Sequence, residues 1–126
     1  MSLSVYKIVL DFEGLEIEAV LNRKYSPIVI ERLVRSLPLE ARTVLYGDSL
    51  ICLVISTPLG VEKPRSEVKR GDLFYWPKSN CLGIALGDEK LAFKVSLLGS
   101  VDGSKMEALR GIKSGTKVKM RLKEDT

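Results

Sequence analysis

The densest group of side chains able to recognise a ligand is the run Gly71-Asp72-Leu73-Phe74-Tyr75-Trp76-Pro77, which holds the only tryptophan of the 126-residue chain. Concave binding sites are walled by aromatic and apolar groups with a few well-placed polar atoms, and Asp72, Tyr75 and Trp76 supply both kinds. Asn80, just past the turn Pro77-Lys78-Ser79, adds an amide that donates and accepts hydrogen bonds. Tyr46 and Asp48 flank a glycine at a second turn and repeat the pairing of a ring with a carboxylate. Tyr46, Asp48, Asp72, Tyr75, Trp76 and Asn80 are therefore the candidate ligand-binding set. Each also has a plain structural use. Side chains alternate across a strand, so Tyr75 and Trp76 point to opposite faces, one expected in the core and the other on a cleft wall. Asp48 and Asp72 suit turns, where a carboxylate accepts backbone N–H groups, and Asn80 and Ser79 suit a turn rim.

Catalysis is narrowed by what is missing. The chain has no histidine, so the Ser-His and Cys-His pairs that activate a nucleophile cannot form. Cys52 and Cys81, the two cysteines, each lie in an apolar stretch and read as buried, reduced thiols of a cytoplasmic protein. Cys81 as a nucleophile has no histidine to activate it, although a nearby lysine could lower its pKa. A zinc site would need both cysteines plus carboxylates, without the usual ligand spacing. No catalytic residue, metal or cofactor is assigned. Glu67 and Asp72 would form a carboxylate pair only if the fold brought them together.

The net charge of +4 is confined to the end of the chain. Residues 1–104 carry 13 basic and 13 acidic side chains, whereas residues 105–126 carry seven and three. Lys117, Lys119, Arg121 and Lys123 share one face at period two, as a row tracking phosphates would. No ring interleaves with them as a stacking platform, and lysines on an edge strand also guard against edge-to-edge pairing. Nucleic acid is thus the disfavoured partner. No run approaches the ~18 apolar residues of a membrane span, and the first residues lack the cationic start and apolar stretch of a secretory leader. The absence of Gln, with Asn only at Asn22 and Asn80 beside abundant Lys and Glu, points to a thermophilic source.

The elements that must hold these residues are mostly strands. Tyr6–Phe12 and Leu15–Asn22 alternate apolar with polar residues around Glu13-Gly14, which predicts a hairpin. Ser26-Pro27 sets an N-cap and first helical position, Ile30, Leu33, Val34 and Leu37 form the helical stripe, and Pro38 ends it. Thr43–Leu45 and the wholly apolar Leu50–Ile55 flank the turn 46–49, the second suiting a strand covered on both faces. Residues 58–67 read as a polar loop. Leu73–Trp76, Cys81–Leu86 and a strand bearing Phe93, Val95 and Leu97 follow, with a bulge expected at Gly99. Ser104 and Glu107 fit a capping box for a short helix burying Met106, Leu109 and Ile112. Val118–Leu122 closes the series.

Gly71-Asp72, two residues, Tyr75-Trp76-Pro77, a short turn and an apolar strand resemble the signature of the small prokaryotic cyclophilin-like domains. Tyr46-Gly47-Asp48 stands where that family usually has Trp-Gly. Leu98-Gly99-Ser100-Val101, Leu109, Ile112–Gly115 and Val118–Leu122 are similar to its C-terminal end. The resemblance implies a closed β-barrel with the first helix plugging one end. Two departures stand out: Leu86-Gly87-Asp88-Glu89-Lys90 replaces an aromatic-Gly-x-Thr-Pro segment, and Tyr46 replaces tryptophan. True cyclophilins isomerise prolyl bonds by aiming an arginine at the prolyl nitrogen beside an apolar pocket, which weakens the amide resonance behind a barrier of ~18–20 kcal/mol. Their segment of arginine followed by Phe-Met-x-Gln-Gly-Gly-Asp has no counterpart here. Arg65 and Arg70, the arginines nearest the aromatic run, suit solvated loops.

The expectation is a single mainly β domain over residues 1–126: a closed cyclophilin-like β-barrel of about eight strands with one main and one short helix. Its expected function is that of a non-enzymatic binding module with a cleft near Tyr46, Tyr75, Trp76 and Asn80 for a peptide or small molecule. A divergent peptidyl-prolyl isomerase or hydrolase-associated subunit is the alternative, and an anion or RNA binder using the basic final strand is the third.

Overall fold

The chain, described over residues 4–123 by a computed structural model, opens with Val5–Phe12 (β1) and Leu15–Asn22 (β2). They pair antiparallel from Val5↔Asn22 to Phe12↔Leu15. The turn between them places Glu13 and Gly14 at φ 55° and 107°, the sense of turn that matches the twist of the flanking strands. Pro27–Ser36 forms α1, followed by Leu39–Tyr46 (β3), Leu50–Val54 (β4), Arg65–Val68 (β5), Asp72–Trp76 (β6), Cys81–Ala85 (β7) and Glu89–Val101 (β8). A 3-10 turn at Gly103–Lys105 leads into Met106–Arg110 (α2), and Lys117–Leu122 (β9) is the last element of the described residues.

Eight strands run in the order β2-β1-β9-β3-β4-β7-β6-β8, and β8 returns to β2 through Ala19↔Val101, Val20↔Ser100 and Leu21↔Gly99. The sheet is thus a closed antiparallel barrel, which leaves these strands no free edges. Gly99 makes the seam possible, since a Cβ there would run into the Val20 carbonyl. Beside it the register of β6 on β8 slips between Leu73 and Phe74, the bulge expected near Gly99.

The barrel interior is filled by alternating residues such as Ile8, Leu10, Ile17, Leu21, Leu53 and Tyr75. Val29, Ile30 and Leu33 of α1 join this core, as do Met106 and Leu109 of α2. The two helices close opposite ends. Arg32 of α1 donates to the Leu59 carbonyl beyond the end of β4, whereas Arg110 of α2 donates to Leu86 at the far end of β7. A second, smaller core lies outside the barrel wall. There Leu50, Cys52, Phe74, Trp76, Cys81 and Ala85 are covered by Val68, Leu91, Phe93 and Val95. β4 accordingly buries both faces, Ile51 and Leu53 inward and Leu50 and Cys52 outward.

Several local expectations change in the folded chain. The loop expected over residues 58–67 contains the start of β5, which pairs with Glu89–Val95 of β8 and with no other strand. Ser26 sits at the N-cap of α1 but its hydroxyl donates to Leu97, and the Glu62 carboxylate takes the Ile28 and Val29 N–H groups instead. Asp102, rather than Ser104, caps the turn before α2, and Glu107 pairs with Arg110. β9 is a central strand between β1 and β3, so its basic row guards no edge. Lys117, Arg121 and Lys123 meet Glu40, Glu16 and Glu18 on that surface. No helix among the described residues is long and apolar enough to cross a membrane.

Candidate functional site

The six residues singled out by sequence do not form one cleft. Tyr75 and Trp76 take opposite faces, as alternation requires, but both are buried: Tyr75 inside the barrel and Trp76 in the outer core. Asn80, held at φ 48° in the β6–β7 turn, accepts the Tyr75 hydroxyl proton and donates to the Ile55 carbonyl. The Tyr75 oxygen in turn accepts the Leu59 N–H at 3.1 Å. This pair ties the loop after β4 to the barrel mouth. Tyr46 is 45% exposed and packs edge-on against Trp76, with ring centroids 5.1 Å apart. Asp48 lines a small recess of about 360 Å³ with Arg110 near α2.

Asp72 belongs to a larger cleft of about 570 Å³ beside β5, β8 and the turn before β6, within the range of small-ligand sites. Arg65, Lys69 and Lys90 line it with Glu67, Asp72, Asp88 and Glu89, next to Tyr25, Val68 and Leu97. The fold thus brings Glu67 and Asp72 to one cavity. Two of its carboxylates also shape its rim: Asp72 accepts the Lys69 N–H and Asp88 the Arg70 N–H, each at 2.8 Å. No group of carboxylates or thiols among the described residues is arranged to hold a metal ion. The cleft can grip a molecule carrying both signs of charge near an apolar part. Its residues are scattered from position 25 to position 97 and form no motif; the charged run Arg65-Ser66-Glu67 beside Gly71-Asp72 is the only local hint.

The outer core is chemically uneven. Trp76 stacks on Phe93 with centroids 3.7 Å apart and planes 9° from parallel, while its indole Nε1 is buried without a hydrogen-bond partner. Glu89 accepts the Ser49 hydroxyl proton through Oε1, and its buried Oε2 has no partner either. An unsatisfied buried polar atom costs about 1–3 kcal/mol. Cys52 and Cys81 meet in the same layer as free thiols. The hydrogen bond with Cys52, followed by burial, holds the Cys81 thiol far above its ordinary range, while Cys81's hydrogen bond lowers Cys52. The shared hydrogen bond thus leaves Cys81 the harder of the two thiols to ionise.

The family model described as Cyclophilin-like matches residues 6–121. The chain belongs to the Cyclophilin-like family. Among solved structures, hypothetical protein AF2241 from Archaeoglobus fulgidus superposes with a TM-score of 0.79 at 22% identity, covering 95% of this chain and 96% of that one. McbB, solved in complex with tryptophan, superposes with a TM-score of 0.76 at 18% identity over 94% of this chain and 45% of its own. At such identities the likeness is one of fold. No curated protein matches the chain. In this Cyclophilin-like chain the cleft is built on β5, the turn before β6 and the charged start of β8.

Proposed function

We propose that the protein is a binding module whose cleft beside Arg65 and Asp72 takes a small zwitterion or the charged end of a peptide. One observation carries this reading: three cations and four carboxylates converge on one cavity with Val68, Leu97 and Tyr25. Opposed charges in a partly desolvated cleft favour a ligand that answers both signs and penalise one that answers neither. McbB, one of the fold neighbours, was solved in complex with tryptophan, itself a zwitterion, so free tryptophan is the first probe and a short aromatic peptide the second. Calorimetric titration should give saturable binding to one or both. Arg65→Ala and Glu67→Gln, which alter exposed side chains, should weaken it at least tenfold, about 1.4 kcal/mol, at unchanged melting temperature. Absence of saturable binding to both probes at millimolar concentration rejects the proposal.

Prolyl isomerisation is a second reading, favoured by one feature. Arg65 lines the cleft together with Val68 and Leu97, the arginine and apolar surface that the reaction needs. An isomerase would accelerate a proline-limited refolding reaction and lose that rate in Arg65→Ala. No acceleration at high protein concentration leaves the binding module alone.

A further inference from the structure

β5 and residues 89–95 of β8 form a two-stranded ribbon over the outer faces of β4, β7 and β6. The ribbon is held by Val68, Leu91, Phe93 and Val95, its internal register slips between Arg65 and Glu67, and β5 pairs on one side only. We propose that this ribbon is a lid, and that Phe93 is the resident occupant of a slot on Trp76 built for an aromatic residue of an extended peptide. Three observations converge on this. The Phe93 ring lies flat on the indole, the contact a peptide aromatic side chain would reproduce. Trp76 Nε1, buried and unpartnered, belongs to the layer the ribbon covers. An extended peptide offers a backbone carbonyl to this indole N–H, which the ribbon does not. Finally, the apolar surface beneath, formed by Leu50, Phe74 and Ala85 with the two thiols, gives such a segment a dry floor once the ribbon lifts. Arg65, Glu67, Val68, Glu89 and Lys90 of the ribbon also line the charged cleft, whereas Trp76, Phe93 and the two thiols do not, so the slot is tested on residues outside the cleft.

Two readouts test the lid, each reporting on residues absent from the cleft. Cys52 and Cys81 are the only thiols of the chain and both lie under the ribbon. A thiol reagent added to the native protein should label them at least tenfold faster than global unfolding allows, at a rate insensitive to low denaturant; labelling that tracks global unfolding overturns the lid. The single tryptophan gives one indole N–H resonance. N-acetylphenylalaninamide should shift it where N-acetylalaninamide does not, and Phe93→Leu, which keeps the layer apolar, should tighten that binding at least tenfold. A resonance unmoved in both proteins, or an affinity unchanged by Phe93→Leu, overturns the slot.

Discussion

The Tyr75 hydroxyl and the Asn80 side-chain amide hold each other across the β6–β7 turn, and through them the turn holds Ile55 and Leu59. Tyr75 is 1% exposed, so removing its oxygen strands the Leu59 N–H away from water. Tyr75→Phe should cost about 1–3 kcal/mol in denaturant unfolding with the far-ultraviolet spectrum unchanged. Asn80→Ala should cost more, because it loses bonds to both sides and puts alanine at φ 48°. A loss below about 0.5 kcal/mol for Tyr75→Phe, the range of ordinary surface changes, would mean the bonds carry no weight.

Closure of the barrel rests on the approach of Gly99 to β2. A methyl at this position meets backbone, the Val20 carbonyl, rather than a side chain able to swing away. Gly99→Ala should therefore destabilise by ~3 kcal/mol or more, near the top of the range for overpacking, and raise hydrogen exchange along Ala19–Leu21. Gly87→Ala, with open space around it, is the matched control and should be nearly neutral.

Glu62 reaches from the loop before β5 to the first turn of α1, accepting the Ile28 and Val29 N–H groups at 2.8 and 3.0 Å. Its own backbone is clamped by the buried Ser96, whose hydroxyl accepts the Glu62 N–H and donates to the Glu62 carbonyl. Glu62→Ala should cost about 1–2 kcal/mol, the worth of a cap plus its interaction with the helix N-terminus. Ser26→Ala should cost stability by a different route, leaving the Leu97 carbonyl unpaired. Equal hydrogen-exchange protection of Ile28 and Val29 in wild type and Glu62→Ala would contradict the cap.

Stability should fall in mild alkali because of Cys81. Its thiol is raised in the fold by the Cys52 hydrogen bond and burial, so from about pH 9 the unfolded chain releases a proton that the folded chain keeps. The contribution is complete below the unfolded thiol range, and above it the slope is negative, at most about 1.4 kcal/mol per pH unit for one proton. Urea unfolding above about pH 9 should show the decline in wild type and a flatter profile when both thiols are removed, Cys52→Ala together with Cys81→Ala. Parallel profiles would show that the thiol pair does not set it.

What sequence could and could not show follows from range. The β1–β2 hairpin was legible because Ile8, Leu10, Ile17, Ala19 and Leu21 alternate with polar neighbours and a two-residue turn joins them. β4 was legible as doubly covered from its unbroken apolar run, although nothing local said that its outer cover would be Phe93 and Val95. β5 escaped because Arg65, Ser66 and Glu67 look like loop residues; only Val68 is buried, in the outer core. Trp76 was legible as an aromatic anchor but not as a covered one, since its partner Phe93 is 17 residues away on a different strand. Strand order has no local signal at all, which is why the basic β9 read as an edge and proved central. The cleft had the same problem on a larger scale, with lining residues contributed by four separate stretches of chain.

The most direct measurement of the proposed role is an amide-shift titration of the isotope-labelled protein with free tryptophan and with a short aromatic peptide. Resonances of Glu67, Lys69, Asp72, Lys90 and Leu97 should move together and saturate, with an affinity that weakens as salt screens the cleft charges. Resonances that stay fixed, or shifts that gather on β9 and leave these five untouched, would contradict it.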